Sequence, residues 1–205
     1  LGLSYRQLGQ QENAEEIFRK GLKIFPNNVS ILSNIGAFYR SIGKFDDAEN
    51  YLNKAFNLNN KDFTVLVNLA NVKRDKSQTK ESIQLYEKAY NLNKNNETLL
   101  INLAGAYQID AQFESSKKIL KEINEKYPRN TKADHMYSSI HNYKEKDLHR
   151  DQMTQKLSSQ NLSLENISNL CFAIAKSYSD IKNYADSSKF FIKANNANNN
   201  LLKNY

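Results

Sequence analysis

VSILSNIGAFY, residues 29–39, is the stretch that decides the fold of this 205-residue chain. Its apolar residues recur every three or four positions, which predicts a helix over residues 29–42. Gly43 and Lys44 then give a tight turn, and a second helix is predicted over residues 45–58. The two helices are expected to form an antiparallel pair.

The same order of small and bulky residues returns along the chain at a constant interval of about 34 residues, the repeat length. The matching sets are Gly2, Gly36, Ala70 and Ala104; Ala14, Ala48, Ser82 and Ser116; Phe18, Leu52, Tyr86 and Leu120; and Tyr5, Tyr39 and Tyr107. We expect Gly36 and Ala48 to lie where two helices cross, because a larger side chain there would push the helix axes apart. The spacing and order resemble the tetratricopeptide repeat (TPR), which implies an all-α, right-handed superhelix of antiparallel helix pairs.

About six repeats are expected, over residues 1–28, 29–62, 63–96, 97–130, 131–167 and 168–201, in an array that covers residues 1–196. The fifth is irregular, because the polar segment 142–147 replaces the short turn and the next repeat resumes three residues late. Ser163 is a candidate N-cap for a long helix that reaches about Ile181. Asparagine is a weak helix former, so the last helix is predicted to end near Asn195, with residues 197–205 as an asparagine-rich tail or linker. Since Leu1 falls inside a predicted helix, we expect the chain to be a fragment.

The composition argues for a folded protein that does not bind nucleic acid or membranes. The formal net charge of +7 is spread along the chain, and basic residues alternate with acidic ones, which is typical of a solvated surface. No apolar run reaches the about 20 residues that span a bilayer. The single cysteine, Cys171, fits a reducing compartment, so the cytoplasm is the expected location.

The sequence predicts no catalytic centre, metal site or cofactor within the chain. Gly-rich phosphate-binding motifs are absent, and His135, His141 and His149 are spaced by six and eight residues rather than the four of a helical metal pair. We therefore expect the chain to bind a protein or peptide partner.

Asparagines mark the candidate binding face. Asn34, Asn68 and Asn102 lie one repeat length apart, each two residues before the small residue of its repeat. This position is expected to face a concave groove, where an amide can donate to a peptide C=O and accept from a peptide N–H. Asn71, one helical turn after Asn68, would extend the series. The alternative is that these are solvated asparagines in a chain that contains 29 of them.

The segment 67–74, VNLANVKR, resembles the repeats of O-GlcNAc transferase. That family holds protein substrates with groove asparagines, so the resemblance implies the same role for Asn34, Asn68 and Asn102.

A narrower resemblance covers residues 143–153, 161–166 and 172–180, followed by Tyr184, Ala194 and Asn195. These segments are similar to the last repeats of bacterial TPR–sulfotransferase proteins, whose following catalytic domain uses the sulfate donor PAPS. The resemblance implies a substrate-presenting N-terminal part of a sulfotransferase, with no PAPS-contacting residue in this chain. The alternative is a stand-alone adaptor or assembly scaffold with no enzymatic domain.

Overall fold

The structure is a computed structural model that describes residues 11–159 and 161–203. This part of the chain contains eleven α-helices and no β-strand, which confirms the predicted all-α class. The signature residues Gly2 and Tyr5 of the first repeat lie outside the described residues. The helices are α1 (Gln11–Ile24), α2 (Val29–Ser41), α3 (Phe45–Leu58), α4 (Phe63–Asp75), α5 (Thr79–Leu92), α6 (Glu97–Ile109), α7 (Phe113–Lys126), α8 (Thr131–Ile140), α9 (Leu148–Leu157), α10 (Leu164–Asp180) and α11 (Tyr184–Leu202).

A side-chain cap starts the first helix of four successive pairs. Asn28, Asp62, Asn96 and Asn130 each accept a hydrogen bond from the backbone N–H three residues later, at 2.8–3.0 Å. These caps satisfy backbone donors that have no partner inside the helix. They are themselves one repeat length apart, so Asn28, Asn96 and Asn130 recur with the repeat because they are helix caps.

The turn inside most pairs contains one residue with a left-handed backbone. The φ angles are +76° at Gly43, 61° at Ser77, 56° at Ala111 and 62° at Lys182. Only Gly43 adopts this conformation without steric strain from a Cβ atom. At the other three positions the side chain's Cβ atom makes this backbone conformation sterically unfavourable.

The chain divides into two compact units, residues 1–110 (unit 1) and residues 111–205 (unit 2). In unit 1, each helix from α1 to α6 packs on the next, and α4 also packs on α2 and α6. Gly36 and Ala48 are buried in this stack. Two tyrosines also reach a glutamate of the preceding helix: the Tyr39 hydroxyl donates to Glu15 Oε1 at 2.9 Å, and the Tyr107 hydroxyl donates to Glu87 Oε1 at 2.7 Å.

Unit 2 contains the irregular fifth pair. Helices α8 and α9 have only 10 residues each, whereas α4 and α5 have 13 and 14. The regular pattern returns in α10 and α11, where the Ser187 hydroxyl donates to the Ala175 carbonyl at 2.9 Å. Ser82 makes the same bond to Ala70 in unit 1, at 2.8 Å. Ser163 caps α10 as predicted, by accepting from Asn166 N–H.

The predicted end of the last helix near Asn195 is wrong, because α11 continues to Leu202. Ala194 and Ala197 are buried in this stretch, at 0% and 5% exposure, and α11 packs along α10. The packing of these alanines outweighs the weak helix propensity of the exposed asparagines between them. The propensity penalty of an asparagine is only roughly a few tenths of a kcal/mol per residue. The proposed boundaries of the individual repeats stay a prediction.

None of the helices in the described ranges combines the length and the apolar character that crossing a membrane requires.

Candidate functional site

The three periodic asparagines occupy equivalent places in unit 1. Asn34, Asn68 and Asn102 are each the sixth residue of their helix, in α2, α4 and α6, and α4 packs between the other two helices. All three side chains are partly exposed, whereas Asn71 is only 8% exposed. We call the surface formed by Asn34, Asn68, Asn71 and Asn102 the amide face.

At the α2–α4 end of the amide face, two asparagine side chains have hydrogen-bonding atoms without a partner among the described residues. The Asn68 Nδ2 group donates to Ser33 Oγ at 3.1 Å, and its Oδ1 atom has no donor among the described residues. Asn34 has no side-chain hydrogen bond to any described residue. These two side chains therefore retain hydrogen-bonding capacity that a ligand could use.

At the α4–α6 end, the amides bond to each other and to the core. Asn71 Oδ1 accepts from the buried Tyr86 hydroxyl at 2.5 Å and from Asn102 Nδ2 at 3.4 Å. Arg74 Nη1 donates to Asn102 Oδ1 at 3.3 Å and to the Tyr86 oxygen at 3.3 Å. Burial raises the pKa of Tyr86, which keeps the phenol protonated as the donor. Asn71 thus holds the packing of α4 and α5, a distinction that sequence spacing did not reveal.

Arginines and an aspartate border the amide face. Arg40 Nε donates to Asp75 Oδ2 at 2.6 Å, and Arg74 Nη2 lies 3.4 Å from Asp75 Oδ1. All three side chains are between a fifth and a third exposed. Two guanidinium groups share one carboxylate, so N–H donors and one positive charge remain for a carbonyl or carboxylate group. Sequence reasoning missed this pair, although Arg40 and Arg74 are also one repeat length apart.

The other candidates for chemistry in the sequence are possible metal ligands and the cysteine Cys171. No group of three or more His, Cys, Asp or Glu side chains in the described ranges is arranged to hold a metal ion. Cys171 is buried, and burial raises the pKa of its thiol. A thiol with a raised pKa is a poor nucleophile.

Comparison with known proteins finds tetratricopeptide repeats in the first 95 residues of the chain. Residues 27–95 match one tetratricopeptide repeat model, and residues 1–28 match a second. Residues 1–95 therefore carry the repeat's sequence pattern, and the described part of the chain has the helix-pair fold of a tetratricopeptide repeat protein. No curated protein matches the chain in sequence.

Solved structures extend the likeness in fold to nearly the whole chain. MamA is 18% identical, with a TM-score of 0.61 over 99% of this chain and 97% of that chain. YrrB, described as a TPR protein with an unusual peptide-binding site, is 17% identical, with a TM-score of 0.69 over 88% and 91%. PilF of Pseudomonas aeruginosa is 19% identical, with a TM-score of 0.68 over 91% and 85%. At these identities the likeness concerns the fold alone.

Proposed function

We propose that the chain is a protein-interaction module that binds an extended peptide or protein partner along the amide face of unit 1. The observation that carries this proposal is that Asn34 and Asn68 have hydrogen-bonding atoms without a partner among the described residues. Asn68 donates to Ser33, and its carbonyl oxygen has no donor among the described residues. Neither the donor nor the acceptor of the Asn34 side chain has a partner among the described residues. An amide with one free acceptor and one free donor matches the N–H and C=O of a peptide. The peptide-binding site in the description of YrrB, which shares the fold, supports the same role.

The four asparagines have different parts in this proposal. Asn34 and Asn68 contact the peptide directly. Asn102 contacts it by exchanging its bond with Arg74, and the released arginine donor then faces the same ligand. Asn71 is a positioning residue, because its acceptor already serves Tyr86 and Asn102. Arg40 and Arg74 favour a partner with carbonyl or acidic groups at this edge.

The test is selection of short random peptides on the intact chain, followed by affinity measurements with the Asn34→Ala/Asn68→Ala variant. We expect roughly a tenfold weakening, since each lost hydrogen bond is worth about 0.5–1.5 kcal/mol. The matched control is Asn53→Ala/Asn57→Ala, which removes two exposed asparagines of α3. Equal affinities of both double variants for the selected peptides would contradict the proposal.

We also propose that this module presents protein substrates to a sulfotransferase domain. The support is the sequence resemblance of residues 143–195 alone, and PAPS would then bind outside this chain. The single buried cysteine fits work in a reducing compartment such as the cytoplasm. Reading the coding sequence beyond Tyr205 tests the proposal. A loop of the Pro-Arg-Ser-Gly-Thr type would support it, and a stop codon would favour the stand-alone adaptor.

A further inference from the structure

A cavity of about 570 Å³ in unit 1 lies beside the amide face, between the start of α1, the end of α2 and the middle of α4. Among the described residues, it is lined by Gln11, by residues 37, 38 and 40–42, and by Asn68. Its volume falls in the range of about 300–1,000 Å³ that is typical of ligand pockets. Because Asn68 belongs to both the cavity and the amide face, a peptide bound along that face would pass beside the cavity.

Arg40 is the only ionisable side chain among the described residues that line this cavity. The other lining residues are apolar or are neutral and polar, and the Ser41 hydroxyl already donates to the Phe38 carbonyl at 2.7 Å. A negatively charged group that enters therefore meets a positive charge and no acidic side chain on the described wall. A cavity lined by charge of one sign attracts the opposite sign, so charge complementarity favours an anionic group.

The Arg40 guanidinium is held at one end and accessible at the other. Its Nε atom donates to Asp75 Oδ2 at 2.6 Å, whereas Nη1 and Nη2 have no hydrogen-bond partner among the described residues. Both Nη atoms reach solvent, because the buried polar atoms that lack a partner in the described ranges belong to Gln78, Asn124 and Arg150. The two N–H groups at this end match the two oxygens of a carboxylate.

Arg74, one repeat length after Arg40, has its donors engaged. Its Nη1 atom donates to Asn102 and to Tyr86, each at 3.3 Å, and Nη2 lies 3.4 Å from Asp75 Oδ1. The single carboxylate of Asp75 balances one of the two guanidinium charges. In the structure, the positive charge that a ligand can reach without breaking these bonds is therefore that of Arg40.

Asn68 adds an acceptor beside this donor. Its Nδ2 group donates to Ser33 Oγ at 3.1 Å, and its Oδ1 atom has no described donor but is not among the buried atoms. An amide oxygen accepts hydrogen bonds, so it pairs with a peptide N–H and not with a carboxylate. The cavity thus offers a guanidinium for an acidic group and an amide oxygen for the peptide backbone.

The amide face continues on both sides of Asn68. Asn34 lies in α2 and Asn102 lies in α6, and α4 packs between these two helices. A peptide that contacts all three asparagines has further residues on either side of the cavity. The acidic group that enters is then the side chain of an internal aspartate or glutamate and not the carboxylate at a chain end.

We propose that this cavity binds one acidic side chain of the peptide partner, with the carboxylate accepting from Nη1 and Nη2 of Arg40 and a backbone N–H of the peptide donating to Asn68 Oδ1. The inference rests on the proposed peptide binding along the amide face, and it adds the charge of the residue that the face selects. Arg40 is the specificity-determining residue. Asp75 is a positioning residue, because it holds the guanidinium through Nε.

The experiment selects random dodecapeptides in parallel on the intact chain and on Arg40→Gln, which removes the charge but keeps a polar side chain. We expect the peptides from the wild type to share an acidic residue at one position and those from Arg40→Gln to lack it. The most enriched wild-type peptide is then made with the acidic residue or with its amide, Gln for Glu or Asn for Asp. The amide form should bind the wild type about tenfold more weakly, because charge-assisted hydrogen bonds are about twice as strong as neutral ones. Both forms should bind Arg40→Gln equally.

Two further variants separate the roles of the residues. Asn68→Ala should weaken both peptide forms by the same factor, since it removes a contact to the backbone. Lys54→Gln is the matched control, because it removes an exposed positive charge of α3 outside the cavity. It should keep the full preference for the acidic peptide, which separates local recognition from general attraction to a chain of net charge +7. The comparison of two peptides on the wild type depends on no variant's folding.

The inference would be overturned, with peptide binding left standing, by selected peptides that depend on Asn34 and Asn68 but share no acidic position. It would also be overturned if the amide form lost as much affinity for Arg40→Gln as for the wild type, which would place the carboxylate elsewhere. Loss of binding when only the peptide's C-terminus is amidated would show that the face takes a chain end. If no peptide is enriched on the wild type, the proposed function fails, and this inference fails with it.

Discussion

Leu52 occupies the space that a side chain at residue 36 would need: a Cβ atom on Gly36 would lie 2.4 Å from Leu52 Cγ. Both residues are buried at the crossing of α2 and α3. Real Cβ atoms do not approach other heavy atoms so closely, so the separation of these two helices requires glycine.

Gly36→Ala should therefore destabilise the protein by about 1–3 kcal/mol through overpacking, although alanine is the better helix former by about 1 kcal/mol. The matched control is Gly21→Ala in α1, where the new Cβ would lie 3.4 Å from Ile31 Cδ1, an ordinary contact. That variant should be as stable as the wild type or gain up to about 1 kcal/mol. Urea unfolding followed by circular dichroism measures both, and equal effects of the two substitutions would contradict the prediction.

Asn71→Ala should cost about 1–3 kcal/mol of stability, because it leaves the buried Tyr86 hydroxyl without its acceptor. Asn68→Ala removes only one bond, to Ser33, and should cost less, about 0.5–1.5 kcal/mol. Adding Tyr86→Phe to Asn71→Ala removes the unpaired hydroxyl and should restore part of the loss. Denaturant unfolding of the single and double variants tests this. A larger loss in Asn68→Ala than in Asn71→Ala would show that Asn71 is not the structural member of the amide face.

The stability of unit 1 should fall in acid through Glu49. Lys73, which stands in the tyrosine position of the third repeat, lies 2.6 Å from Glu49 Oε1, and Lys76 lies 2.6 Å from Oε2. Burial alone would raise the pKa of Glu49, but these two lysines hold it below 4.5. A lowered pKa in the folded state means that the stabilisation is complete above 4.5 and is lost as the pH falls through the folded-state pKa.

Glu49→Gln should accordingly lower the stability at neutral pH by about 1–3 kcal/mol and make its decline in acid shallower. Glu16→Gln is the control, since the Glu16–Lys20 pair is of equal length but exposed, with both side chains more than 60% accessible. Exposed pairs contribute little, so this variant should follow the wild-type curve. Urea unfolding over a series of pH values gives the comparison, and a Glu49→Gln curve parallel to the wild type would refute the assignment.

The left-handed turn positions should respond to glycine in opposite directions. Lys182 has φ = 62°, so Lys182→Gly should raise the stability by up to about 1 kcal/mol. Gly43 has φ = +76°, and a Cβ atom there would have nothing within 4 Å, so Gly43→Ala should cost about 1–2 kcal/mol through the backbone alone. Thermal unfolding monitors both variants. A stabilising Gly43→Ala would disprove the backbone explanation.

Helix limits were the most predictable part of the fold. The apolar spacing around Leu52 predicts helix α3 with both of its ends, and the position of Ser163 predicts the start of α10. These elements bury one continuous apolar face, so the helical period is strong. The end of α11 was not predictable in this way, because two alanines carry its packing and the residues around them are asparagines.

The candidate sites were less predictable, for a physical reason. Spacing places Asn68 and Asn71 on one helix, but it does not tell which amide bonds to a buried phenol. In a chain rich in asparagine, a cap such as Asn96 cannot be told from a binding residue by composition.

The regular helix caps have a consequence for how the length of this chain can change. Each cap bond joins residues only three positions apart, so each of the four repeats that begin at these caps carries its own start signal. Deleting residues 62–95 would put Asn96 directly after Lys61, in the place of Asp62. The shortened protein would then begin its next helix with an equivalent cap. Loss or duplication of a block of one repeat length is thus a change that this sequence can undergo without new start signals, which favours growth and shrinkage of the array by whole repeats.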